Sequence, residues 1–168
     1  MSSRIEIVIK DACILFDLID LEIIEDFYQL NLIVFTTINV MGEITDESQL
    51  KIINHYIEMG QLLIDEFGNY ETILSIFKEN PGLSFTDSSV LELARRKQAT
   101  ILSSDKSLRN ESERRSISVR GILWILEELY SNGIITKDKL FEKLTAYPEI
   151  NKRAPIGEIE KLKNRLLK

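Results

Sequence analysis

Four carboxylates, Asp11, Glu43, Asp87 and Asp105, stand where a chain could do chemistry with them. Asp11 follows the β-branched run IEIVI of residues 5–9, and Asp105 follows the apolar run ATIL of residues 99–102 and two serines. Asp87 sits in Thr86-Asp87-Ser88-Ser89, short oxygen side chains of the kind that accept hydrogen bonds from the open amides of a helix's first turn. Glu43 comes about two helical turns after a third apolar run, LIVF of residues 32–35. Four acids in one place repel one another and do not all ionise without a counter-charge. A divalent cation supplies it. With one histidine, His55, and one cysteine, Cys13, the donor set is oxygen, which suits Mg²⁺ or Mn²⁺ better than zinc. Such a cation activates a water and neutralises charge on a phosphoryl group, the needs of phosphodiester hydrolysis.

Placing these acids requires particular elements. Residues 5–9, 32–35, 62–67, 99–102 and 117–119 read as strands, the third at an edge. Helical patterns fill the intervals: residues 12–18, 21–30, 38 to about 47, 49–59 capped by Ser48, 69–79, 87–97 and 106–115. Val40, Glu43 and Glu47 are spaced to share one helix face. Beyond the last strand, residues 121–130, 137–146 and 155–168 read as helices, with 147–154 as a linker. Gly60 and Gly133 mark helix ends, and Asn80-Pro81-Gly82 marks a stop. Strands alternating with helices predict a parallel sheet covered on both faces, with all strand C-termini on one edge. Asp11, Thr36-Thr37 and Asp105 then share that edge, where ligands of open α/β sheets bind. Asp87 lies one crossover helix away and Glu43 points back to it.

The chain has 168 residues and 44% hydrophobic residues, enough for one domain with a real core. No long apolar run and no leader pattern is present, and the single cysteine suits a reducing compartment, so a cytoplasmic location without membrane contact is expected. Residues 1–87 carry 4 Lys/Arg against 16 Asp/Glu, and residues 88–168 carry 17 against 11. The division fits an acidic metal site in one region and a polyanion-facing surface in another, or merely solvated faces. Lys106 and Arg109, close to the acidic edge, are candidates to hold a phosphate backbone.

The segments Ile7-Val8-Ile9-Lys10-Asp11-Ala12-Cys13, Val40-Met41-Gly42-Glu43, Asp87-Ser88-Ser89-Val90-Leu91-Glu92-Leu93-Ala94 and Ile101-Leu102-Ser103-Ser104-Asp105 together resemble the PIN-domain family of metal-dependent ribonucleases, which includes the VapC-like toxins of toxin–antitoxin pairs. The resemblance implies a three-layer α/β/α fold with a central parallel sheet in the order 3-2-1-4-5. It spans residues 5–133, with 134–168 as a helical extension of a single domain. It also implies Mg²⁺ or Mn²⁺ held by Asp11, Glu43, Asp87 and Asp105, with Ser104 as a supporting hydroxyl. RNA is the implied substrate, an antitoxin protein and a second copy of the chain the implied partners. Lys106-Ser107 stands where family members often carry a further acid.

Each residue also has a plainer reading. Asp11 alone is a turn residue, Asp87 alone a helix cap and Glu43 alone a surface glutamate. Asp46 is a distant reserve ligand, His55 a surface or satisfied helix histidine and Cys13 a small buried filler. Joint placement on one edge favours the metal site. Two other functions compete: a non-catalytic PIN-like scaffold for RNA or protein, and a phosphatase or phosphoacceptor domain. The absence of an Asp two residues after Asp11 weighs against a phosphatase of the haloacid-dehalogenase type.

Overall fold

Five short aliphatic runs form the sheet in the computed structural model, which describes residues 4–10 and 12–168. They are β1 (Ile5–Ile9), β2 (Leu32–Thr37), β3 (Leu63–Asp65), β4 (Thr100–Leu102) and β5 (Val119–Arg120). All pairings are parallel and the order is β3-β2-β1-β4-β5. The expected α/β class and strand order are therefore those observed. Register brings the strand ends level: Ile9 pairs with Leu102, Leu102 with Arg120, and Thr37 with Asp65. Whatever follows each strand consequently falls on one edge.

The chain divides into two compact units. The first comprises Met1–Ala12 and Asn31–Arg120 and contains the whole sheet. Its helices are α3 (Ile38–Glu43), α4 (Glu47–Glu58), α5 (Tyr70–Glu79), α6 (Phe85–Lys97) and α7 (Lys106–Arg114). Helix α6 packs on α5 and across β1, β2 and β4. Its Val90, Leu91, Leu93 and Ala94 join Val8, Ile101, Leu108 and Val119 in one buried cluster.

The second unit comprises Cys13–Leu30 and Gly121–Lys168. Helices α1 (Cys13–Asp20) and α2 (Ile24–Phe27) pack on α8 (Ile122–Ser131), which packs on α9 (Lys137–Ile150), which packs on α10 (Ile156–Leu167). Lys139 Nζ reaches Asp26 at 2.7 Å, and Asn151 Nδ2 donates to Asp17 Oδ2 at 2.9 Å. Tyr147 is buried, and burial together with the nearby Asp17 carboxylate pushes its phenol up to about 12.

Several local expectations fail for identifiable reasons. The helix expected over 21–30 shrinks to α2, because α1 ends with Glu22 in the left-handed region (φ 57°). The amides of Glu22 and Ile23 return to the carbonyls of Ile19 and Leu18, a Schellman stop made without glycine. Glu43 and Glu47 do not share a helix face: extended Ile44 separates α3 from α4, and Asp46, not Ser48, caps α4 by accepting from Gln49 N. Helix α6 begins two residues earlier than expected, because Ser84 is its cap. Helix α9 runs through Pro148 to Ile150, where a linker was expected, with buried Tyr147 on its last turn. Cys13 is exposed rather than buried.

Candidate active site

The edge is assembled by buried hydroxyls. Thr36 Oγ1 donates to the carbonyl of Ile9 at 3.2 Å and ties the end of β2 to the end of β1. Thr37 caps α3 by accepting from Val40 N at 3.1 Å, and its hydroxyl lies 2.9 Å from Ser89 Oγ. Ser89 Oγ donates to the carbonyl of Thr86 at 2.6 Å. The start of α3 is thus joined to the first turns of α6. Thr86 Oγ1 donates to Glu43 Oε1 at 2.6 Å, so the last residue of α3 is held beside the residue preceding Asp87.

Asp87 and Asp105 each use one oxygen on the fold and present the other to the same cation. Ser84 and Asp87 form a capping box: Asp87 N donates to Ser84 Oγ, and Ser84 N donates to Asp87 Oδ2, both at 3.0 Å. Asp105 caps α7 by accepting Leu108 N at Oδ1, 2.8 Å away. The remaining oxygens face Lys10, the residue that follows β1. Its Nζ stands 2.9 Å from Asp105 Oδ2 and 3.7 Å from Asp87 Oδ1. Buried Ser103 braces the turn by accepting Asp105 N at 3.0 Å. The Lys10 ammonium and the Leu108 amide together hold the Asp105 carboxyl below its ordinary 3.8.

The starts of α6 and α7 meet at this ammonium, with the partial positive charge that a helix N-terminus carries. Two of the four acids predicted to converge are therefore brought together through Lys10. Glu43 is exposed and linked to the pair through Thr86. Asp11 lies outside the described residues. Ser104 is exposed, and the neighbouring Ser103 makes the bracing hydrogen bond. Lys106, the first residue of α7, is exposed, and Arg109 is half-buried one turn later. Sequence reasoning named Lys10, Thr86 and Ser103 within their motifs but gave them no role at the site. Only the position of Lys10 one residue beyond a predicted strand pointed to the edge.

Oxygen donors gathered around one positive charge are the kind of donor set that a hard divalent cation also uses. Among the described residues, no three His, Cys, Asp or Glu side chains stand together closely enough to hold a metal ion. A family model described as a PIN domain matches residues 7–155. The chain belongs to the PIN-domain family. PIN domains are generally nucleases, bind nucleic acid and use divalent metal ions. No curated protein matches the sequence.

This PIN domain carries a second acidic pair in its sheet-bearing unit. Asp65, at the end of edge strand β3, and Glu92, on α6, are both buried. Arg96 joins them: its Nε donates to Glu92 Oε1 at 2.9 Å, and its Nη1 donates to Asp65 Oδ1 at 3.2 Å. These bonds to Glu92 and Asp65 raise the guanidinium above its already high value. Beside the pair opens a cavity of about 270 Å³, lined by Thr37, Asn39, Asp65, Tyr70, Phe85 and Glu92 among others. No helix among the described residues is long and apolar enough to cross a membrane.

Proposed function

We propose that this PIN domain is a metal-dependent endoribonuclease that hydrolyses RNA phosphodiester bonds at the edge where α6 and α7 begin. The observation that carries the reading is the pair of carboxylate oxygens, Asp87 Oδ1 and Asp105 Oδ2, drawn to one cation at a parallel-sheet edge. In this reading Asp87 and Asp105 hold Mg²⁺ or Mn²⁺, with Asp11 and Glu43 completing the acidic set. The bound ion supplies a more acidic water and charge neutralisation at the phosphoryl group.

The chain's own residues do the rest. Caps fix Asp87 and Asp105 to the starts of their helices, so neither carboxylate has to be ordered when substrate arrives. Thr86 holds Glu43 alongside. Lys106 and Arg109, in the first turns of α7, lie where they can meet the RNA backbone. Ser104 is assigned a supporting role as an exposed hydroxyl beside Asp105. RNA is the substrate partner. A role as the toxin of a toxin–antitoxin pair, with an antitoxin covering the acidic edge, a homodimeric state and a cytoplasmic location belong to the same proposal.

The ammonium between the two acids also favours a second reading, a PIN-like scaffold that binds RNA or protein without turnover. Cleavage of single-stranded RNA by purified protein separates them, with Mg²⁺, Mn²⁺ or EDTA, beside Asp87→Asn and Asp105→Asn. The nuclease reading expects metal-dependent cleavage that falls at least about 100-fold in each variant while melting behaviour is retained. RNA binding with no metal-dependent cleavage would establish the scaffold instead.

A further inference from the structure

We propose that Lys10 is a tethered counter-ion: it holds Asp87 and Asp105 together while no divalent cation is bound, and it is displaced when one binds. The inference rests on the metal-site reading above and adds to it a competitor built into the chain. Divalent affinity is then set by exchange against Lys10 rather than by the carboxylates alone.

Three features support exchange over a permanent bridge. First, both contacts come from one nitrogen on a flexible stem, 2.9 Å to Asp105 and 3.7 Å to Asp87, and not from several nitrogens of a planar fork. Second, water reaches the half-buried site. The Lys10 side chain is 18% exposed and that of Asp105 36%, so the ammonium regains hydration when it leaves. Third, both carboxylates are positioned without Lys10. Asp87 Oδ2 is fixed by Ser84 N, and Asp105 Oδ1 by Leu108 N. Withdrawal of the ammonium leaves two anchored oxygens facing one vacated position. Lys10 itself follows β1, whose Ile9 is paired with Leu102, so its backbone stays at the edge while its flexible side chain swings away. A divalent cation attracts the two carboxylates more strongly than a single ammonium and repels that ammonium in turn.

The role predicts opposite effects on two measurements. Removing the charge in Lys10→Met takes away the competitor, so Mn²⁺ binds about tenfold more tightly. It also leaves the two acids facing each other, so the metal-free protein melts at a lower temperature than wild type. The test is a Mn²⁺ titration of full-length wild type, Lys10→Met and Lys10→Gln, read by the electron paramagnetic resonance of free Mn²⁺. Thermal melts with and without Mn²⁺ accompany it. Lys10→Gln keeps polarity and hydrogen bonding if the methionine variant folds poorly. Tighter Mn²⁺ binding in a folded variant, with a metal-free melting temperature below that of wild type, supports the counter-ion. Equal or weaker binding in both variants overturns it and leaves the metal site standing. Absence of Mn²⁺ binding in wild type and in both variants overturns the metal-site reading and this inference together.

Discussion

Two acidic pairs in the sheet-bearing unit are each bridged by one basic residue, and the bridges differ in kind. Arg96 contacts Asp65 and Glu92 through several nitrogens of one rigid fork, and those carboxylate side chains are only 6% and 5% exposed. Lys10 contacts Asp87 and Asp105 with one nitrogen, at unequal distances and in reach of water. A guanidinium matches two carboxylates geometrically and loses little freedom for each bond it forms, whereas an ammonium is a compact, strongly hydrated point charge. The same net balance therefore produces a clamp at the end of β3 and a replaceable occupant at the starts of α6 and α7. Ion pairing alone does not identify a functional acid. Burial of the carboxylates and the shape of the cation separate the two pairs.

The largest expected effect breaks the clamp. Arg96→Met leaves two buried carboxylates uncompensated. Removing one partner of a buried pair costs about 3–5 kcal/mol, and the lower end applies because Arg96 is itself one-third exposed. Thermal unfolding should show a drop of roughly 6–12 °C. Arg96→Lys sharpens the point: it keeps the charge and loses the fork, so a drop of about half that size is expected from the same melts. On the other pair, Thr86→Val removes the hydroxyl that holds exposed Glu43. It should cost about 1 kcal/mol in denaturant unfolding, with fold and sheet content unchanged by circular dichroism.

Smallest of all is Lys10→Met in the metal-free protein, under about 1 kcal/mol at neutral pH. Its pH dependence is more telling. Lys10 is the first cause of the lowered Asp105 carboxyl. A carboxyl depressed in the fold contributes stability above its unfolded value, and that stability is lost as pH falls through its folded value. Wild type and variant should therefore differ above 3.8 and converge as pH falls below it, which melts across the acid range would record. Parallel acid limbs would mean that Lys10 contributes nothing to the pair.

Periodicity and turn chemistry carried the reading of the fold. The five strands and most helices follow from apolar runs and from stops such as Gly60 and Gly133, both at positive φ, whereas the strand order was implied by the family resemblance alone. The stop that went unread is Glu22, which takes the left-handed conformation without glycine, as Gln98 and Ser116 do at helix ends that the sequence did place. Tertiary packing supplies what propensity does not there, and a sequence window cannot see it. Likewise α9 passes through Pro148 near its end and forgoes the hydrogen bond that an amide there would donate to the preceding turn.

At the site, Asp87 is not the cap of α6 but the third helical residue of a capping box whose cap is Ser84. One oxygen serves the capping box and the other meets Lys10, and Asp105 divides its oxygens in the same way. Lys10 itself was illegible, because a lysine after a strand has no local signature. Its partners lie far along the chain and meet it only once β1 and β4 have paired. Glu43 was placed near the edge for a partly mistaken reason: it ends a short helix and is held by Thr86, where a longer helix had been expected.

The second unit has a consequence for synthesis. Its N-terminal helices α1 and α2 leave the ribosome long before α8, the helix on which both pack. At about 5–20 residues per second, the stretch from Phe27 to Ile122 takes on the order of 5–20 s to make. Throughout that interval Leu15, Leu18 and Phe27, buried in the finished protein, have no α8 to cover them. The nascent chain therefore presents an apolar segment near its start that a chaperone can grasp, and folding of this unit waits on the last third of the message.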